Sequence, residues 1–194
     1  MLSQLSTLKA RLAITVSDYD TLLTNALTAI SVRFDKECNR TFARTADALY
    51  EFDTTDLEIT VPSYPIESVT KFELKESETD GWAEQTDVDH LIRHNCVISL
   101  HSPISTLPAS RALARVTYTG GYVLPGTTPG AGQTALPSDI EQADIEQAAA
   151  WFLNRDSLGL LRQWLHEGTY SQFSQLDLLP SVSAALKRYT RLNP

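Results

Sequence analysis

The spacing of apolar residues changes twice along the chain, and this change limits the folds that the chain can adopt. Near the start, five apolar residues recur every three or four positions and mark one face of a helix that runs to about residue 40: Leu23, Leu27, Ile30, Phe34 and Cys38. Between residues 57 and 119, apolar residues alternate with polar ones, which is typical of strands. Helical spacing returns after residue 136. The pattern predicts helices on both sides of a small antiparallel sheet.

Local signals indicate where the helices begin. Leucines at positions 2, 5, 8 and 12 predict a short amphipathic helix at the start of the chain. Ser17 and Asp18 are candidate N-caps of the longer helix that follows. Ser138 and Glu141 have the spacing of a capping box, in which each side chain binds a free backbone N–H of the other residue. Pro180 suits the first turn of a last helix.

The helix that begins near residue 138 is expected to reach about residue 167, with a break near Asp156. Its buried side is predicted to comprise Ile140, Ala143, Ala148, Trp151 and Phe152. Beyond the break, the apolar pattern is continued by Leu158, Leu161, Trp164 and Leu165. Residues 125–135, which precede this helix, are rich in glycine and poor in apolar groups, so we expect a flexible loop there.

The composition excludes several classes of protein. The net charge of −8 and the pI near 4.9 argue against a protein that grips nucleic acid, because such binding depends on Lys and Arg neutralising phosphates. Two cysteines, Cys38 and Cys96, do not make a disulfide framework, and we expect free thiols, with Cys38 in the core. No secretory leader or membrane-spanning run is apparent. We therefore expect a protein that is made in the cytoplasm and works there or in something assembled there.

No catalytic signature is present, so we expect neither enzymatic activity nor a cofactor. The sequence lacks a Gly-x-Ser-x-Gly elbow, a phosphate-binding loop and a dinucleotide fingerprint. The strongest enzymatic alternative is a zinc site, because His90, His94 and Cys96 share parity along a strand and His101 lies nearby. A turn at residues 93–95 would break that parity. The one-sided acidic run between residues 47 and 89, including the segment 75–89, is interpreted as a solvated face.

The end of the chain combines an apolar stripe with basic residues, which is typical of a segment that docks on another protein. A favourable charge at a helix C-terminus is the alternative explanation. The candidate docking residues are Leu178, Leu179, Val182, Leu186, Lys187, Arg188, Tyr189 and Arg191.

Four short motifs, taken in order, resemble the head–tail connector (adaptor) proteins of tailed bacteriophages. They are SDYDTLL at residues 17–23, YPIESV at 64–69, VTYTGGY at 116–122 and LPSDI at 136–140. The resemblance spans about residues 11 to 192. It implies a ring of about a dozen subunits that docks beneath the portal protein, lets DNA pass through its lumen and receives a stopper or tail-completion protein.

The sequence and the resemblance together imply an α+β, mainly α fold: a helical bundle with a small antiparallel β insertion and a C-terminal helical arm. The connector core would comprise residues 1–167, with helices at about 1–45 and 136–167 and a β-rich part at about 48–122. Residues 168–194 would form the docking arm. The protein is expected in the virion, at the head–tail interface. A small zinc enzyme and a monomeric protein-binding module remain the alternatives.

Overall fold

The computed structural model describes residues 1–106, 111–155, 162–164, 170–172 and 178–191. The helices are α1 (Leu5–Arg11), α2 (Asp20–Glu37), α3 (Ser138–Leu153) and α4 (Pro180–Leu186). The strands are β1 (Thr45–Asp53), β2 (Glu58–Thr60), β3 (Ile66–Lys75), β4 (Ala83–Gln85), β5 (His90–Arg93), β6 (Val97–Leu100), β7 (Leu113–Gly120), β8 (Arg162–Trp164) and β9 (Tyr170–Gln172). The chain divides into a helical unit, Met1–Cys38 with Leu136–Thr190, and a sheet unit, Asn39–Ala135 with Arg191–Pro194.

The helical unit has the core that the spacing of apolar residues predicts. The five stripe residues on α2 and at its end are completely buried, and so are Ile140 and Ala148 on α3. Cys38 is one of these core residues, as expected, and its Sγ donates to the carbonyl of Leu186 at 3.6 Å. Trp151, by contrast, is only half-buried.

The first residues of the chain are fastened into the helical unit. Leu2 is 2% exposed, and its backbone N–H donates to Ser31 Oγ at 2.9 Å. Ser3 Oγ donates to Asp144 Oδ2 at 2.6 Å, while the other carboxylate oxygen of Asp144 is buried without a partner among the described residues. Burial raises the pKa of Asp144 from 3.8 to about 6, although the bond from Ser3 opposes the rise.

Asp144 makes the stability of the helical unit depend on pH in an unusual direction. The pKa of Asp144 is higher in the folded state than in the unfolded state. The free energy of unfolding should therefore fall as the pH rises from about 4 to about 6. Asp144→Asn cannot ionise, so its stability relative to the wild type should increase by about 2 kcal/mol between pH 4 and pH 7. Urea denaturation of both proteins across that range measures the shift. A pH-independent difference would show that folding does not change the pKa of Asp144.

The sheet unit contains two antiparallel sheets. The four-stranded sheet has the order β1-β7-β3-β4, and the three-stranded sheet has the order β2-β6-β5. Their shared core is a cluster of apolar side chains: Phe52, Ile59, Val61, Ile66, Phe72, Ile98, Leu100, Ala114, Val116 and Tyr118. The alternating residues 57–61, 70–74, 97–100 and 114–118 thus form strands or their ends, as predicted.

The prediction of a mainly helical bundle is wrong, because the structure is about 30% helical and 28% strand. The alternation of apolar and polar residues begins at residue 57 in the sequence, yet the first strand, β1, already begins at Thr45. Within β1 the apolar Leu49 lies at an exposed position, so the sequence of this strand does not alternate. At the other end, α3 stops at Leu153, and Trp164 lies in β8, which pairs with β9. Leu158, Leu161 and Leu165 lie outside the described residues. Short apolar runs do not distinguish a helix from a strand by spacing alone.

The predicted helix caps are also wrong in detail. Tyr19 rather than Ser17 or Asp18 precedes α2, and it makes no side-chain cap bond. Ser138 is the first residue of α3 instead of its N-cap, since the extended Pro137 takes that position. A serine inside the helix is past the position from which a capping box forms.

The described helices include none that is both long and apolar enough to cross a bilayer.

Candidate functional site

Two of the motifs that carry the resemblance meet in the sheet unit. Ser63 donates its backbone N–H to the buried hydroxyl of Tyr118 at 3.1 Å, and Gly121 donates to the carbonyl of Pro65 at 2.9 Å. A Cβ on Gly120 would lie 2.3 Å from the carbonyl oxygen of Ser63. The glycine pair therefore permits a close approach of two backbone segments.

Two aromatic residues of the same motifs, together with Phe42, enclose Arg40, which is only 3% exposed. Its guanidinium carbon lies 3.4 Å from the ring centroid of Tyr64, 4.6 Å from that of Phe42 and 5.1 Å from that of Tyr122. The guanidinium also donates to the carbonyl of Tyr64. Burial raises the pKa of Tyr64, and the charge of Arg40 opposes the rise. A buried cation stacked on three rings fixes the junction of these segments, and no spacing in the sequence singled out Arg40.

A second charged cluster lies on the four-stranded sheet, where the sequence indicated only a solvated acidic face. Glu73 is 6% exposed and accepts bonds from Lys71 at 3.0 Å and from Arg115 at 2.7 and 2.9 Å. Burial would raise the pKa of Glu73, but these two partners lower it overall. The indole of Trp82 lies 4.2 Å from the Arg115 guanidinium. Glu73 is thus a paired, structural carboxylate.

The apolar members of the predicted docking segment face the interior. Val182 is fully buried and Leu186 is 3% exposed, both within the helical unit. Leu178 and Leu179 are half-buried, and the N–H of Leu179 donates to Oε1 of the buried Gln147 at 2.9 Å. In this fold the stripe on α4 packs into the core of its own unit.

Some of the polar residues of that segment are exposed to solvent, and another makes a hydrogen bond within the helical unit. Lys187 and Arg188 are exposed. The Tyr189 hydroxyl donates to Asp139 at 2.8 Å, within the helical unit. Of these three residues, Lys187 and Arg188 alone project into solvent.

Arg191 belongs to the sheet unit. Its guanidinium donates to the carbonyl of Thr60 at 2.6 Å and to the hydroxyl of Tyr50 at 3.2 Å. Arg191 is half-buried, and these bonds hold the end of the described chain against the sheet unit.

The candidate zinc ligands do not converge. His90 is exposed on β5, with its Nδ1 3.1 Å from the carbonyl of Val88. His94 and Asn95 have left-handed backbones, with φ of 51° and 55°, so the predicted turn is present and breaks the parity with Cys96. No group of three His, Cys, Asp or Glu residues in the described part of the chain is placed to bind a metal ion.

Comparison with solved structures gives the clearest relationship. No protein-family model and no curated protein matches the chain. A chain from the virion of the native gene transfer agent (GTA) particle superposes with a TM-score of 0.62, over 100% of this chain and 91% of that one, at 14% identity. A chain from the neck of the empty GTA particle, computed with C6 symmetry, gives 0.61 over the same shares at 15% identity.

A third match comes from the neck of the native GTA particle, computed with C12 symmetry. Its TM-score is 0.55, over 89% of this chain and 84% of that one, at 16% identity. The chain shares the fold of these chains from GTA neck and virion particles. This agrees with the resemblance to head–tail connectors that the four motifs indicate.

Proposed function

We propose that the protein is a structural component of a virion neck, a connector that forms a ring of about a dozen subunits. The observation that carries the proposal is the match of the whole chain, helical and sheet units together, to chains of GTA neck and virion particles. In this proposal the ring docks under the portal, surrounds the passing DNA and provides the platform for a stopper or tail-completion protein. Assembly takes place in the host cytoplasm, and no enzymatic step is involved.

The charge of the chain supports a ring that DNA traverses without adhering. With a net charge of −8, the subunit repels phosphates instead of neutralising them. The buried, paired ion clusters described above contribute nothing to DNA binding, because Glu73 and Arg115 satisfy each other.

The exposed cations near the end of the described chain are the feature of this segment that supports a docking role. Since Val182 and Leu186 are committed to the core, we propose that Lys187 and Arg188 supply the charge with which the segment 168–194 contacts the portal. In this proposal the segment 168–194 is the docking arm, and its helix α4 also completes the core of the helical unit, so the connector core is not limited to residues 1–167.

Light scattering of the protein alone and mixed with its cognate portal tests the proposal. We expect a portal-bound complex whose mass exceeds that of the portal alone by about a dozen 21.5 kDa chains. Lys187→Glu with Arg188→Glu should weaken attachment to the portal about tenfold or more without changing thermal stability. The matched control is Arg11→Glu with Lys36→Glu, two exposed cations of the helical unit elsewhere in the sequence. A monomer that ignores the portal under all conditions would contradict the proposal.

A further inference from the structure

The short segment before α1, residues 1–4, covers a buried carboxylate of α3. Leu2 and Ser3 are both buried, although neither belongs to a helix. Ser3 Oγ donates to Asp144 Oδ2 at 2.6 Å, and Asp144 has no exposed surface of its own. Because Ser3 touches the carboxylate directly, a movement of this segment would bring Asp144 into contact with water while α3 stays folded.

The surroundings of Asp144 suit the protonated acid better than the carboxylate. Its Oδ1 is buried without a hydrogen-bond partner among the described residues, while Oδ2 accepts the bond from Ser3 Oγ. A buried carboxylate that lacks partners for one oxygen is costly, whereas the neutral acid is tolerated in the same place. The geometry alone therefore favours a proton on Asp144 as long as the segment covers it.

The charges around Asp144 do not compensate its burial. Burial raises the pKa of Asp144 to about 6, against the opposing bond from Ser3. The terminal ammonium group also favours ionisation, and Glu141, about one turn earlier on α3, disfavours it. The helix α4 packs against α3 and carries no charge. The charged residues of α1 and α2, the other helices packed against α3, form no ion pair with Asp144 and are Lys9, Arg11, Asp20, Arg33, Asp35, Lys36 and Glu37.

We propose that residues 1–4 form a latch on the helical unit, which closes over protonated Asp144 and loosens when Asp144 loses its proton. Opening of the latch lets water reach the carboxylate and stabilises its ionised form. By linkage, ionisation then favours the open latch and protonation favours the closed one. Terminal segments with few bonds open at a lower free energy than the core does, and the bond from the Leu2 N–H to Ser31 Oγ is the other side-chain bond that holds this one.

Amide hydrogen exchange followed by NMR, corrected for the intrinsic effect of pH on exchange, measures the opening of the latch. The N–H of Leu2 reports on the latch, and the N–H of Ile30, within α2, reports on unfolding of the whole unit. The opening constant at Leu2 should exceed that at Ile30 by about a hundredfold or more. With a pKa of 3.8 in the open state and about 6 in the closed state, it should rise about fiftyfold between pH 4 and pH 7.

Three variants identify the group responsible. Asp144→Asn cannot ionise, so its opening constant at Leu2 should be the same at pH 4 and pH 7. Asp18→Asn, which changes an exposed carboxylate of the same unit, is the matched control and should keep the fiftyfold rise. Ser3→Ala removes a bond of the latch but keeps the acid, so opening should increase at every pH while the rise with pH remains.

Two results would overturn the latch. One is an equal opening constant at Leu2 and Ile30, since the segment then opens only when the whole unit unfolds. The other is local opening at Leu2 that does not change with pH. If Asp144→Asn does not fold, the carboxyl carbon of Asp144 in the wild type decides: it should titrate near pH 6 together with the backbone resonances of Leu2, and titration without a change at Leu2 rejects the latch. The test uses the subunit alone, so its failure leaves the proposed function untouched.

Discussion

Replacing Gly120 by alanine should destabilise the sheet unit by about 3 kcal/mol or more. The new Cβ would lie 2.3 Å from the carbonyl oxygen of Ser63 and 3.0 Å from that of Pro65. Both obstacles are backbone atoms, which cannot turn away as a flexible side chain does. Gly120 also pairs with Thr45 on β1 and Ile66 on β3, so any shift of the strand end disturbs two ladders at once.

Gly130→Ala is the matched control for that variant. A Cβ on Gly130 would meet only the side chain of Gln133, at 3.4 Å, and stability should stay within about 0.5 kcal/mol of the wild type. Urea denaturation followed by circular dichroism measures both variants. Equal stability of the two would mean that the contact between the Tyr-Pro and Gly-Gly motifs is looser than described.

Leu186→Asp should unfold the helical unit, with a loss of about 4 kcal/mol or more. Leu186 is 3% exposed, and its carbonyl accepts a bond from the buried Cys38. The substitution removes an apolar side chain from the core and places a carboxylate there without a partner. A variant at this position therefore reports on folding and cannot report on docking.

Ala184→Asp places the same charge on an exposed position of α4 and should cost less than about 1 kcal/mol. Hydrogen exchange of the amides in α2 and α3 shows which unit opens. If Leu186→Asp leaves their protection unchanged and only portal attachment is lost, α4 does not belong to the core and its stripe is free for a partner.

The spacing of apolar residues predicted the core of the helical unit well, because the buried residues of α2 recur every three or four positions. The stripe residues from Leu23 to Cys38 are all completely buried, and none of the positions in the stripe carries a charged side chain. The strand β1 could not be predicted in this way, since Leu49 is exposed on the outer face and acidic residues flank it. The end of α3 was missed for a related reason, because the apolar residues beyond it keep a helix-like spacing while Arg162–Trp164 pairs as a strand.

The sequence predicted the candidate functional sites less well than it predicted the helices and strands. The stripe of Val182 and Leu186 is the same whether it faces a partner or the core of its own unit, and only the packing of α4 decides between them. Arg40 gains its role from an aromatic ring that is distant in sequence, Tyr64. By contrast, the resemblance drew attention beforehand to the glycine pair and the Tyr-Pro motif, although the sequence did not show that their backbones meet.

Electron microscopy of the protein assembled on its portal tests the central claim most directly. We expect rings with rotational symmetry, an open lumen and one copy of this chain per repeat. Single 21.5 kDa particles without symmetry, in the presence of a portal that is itself correctly assembled, would contradict it.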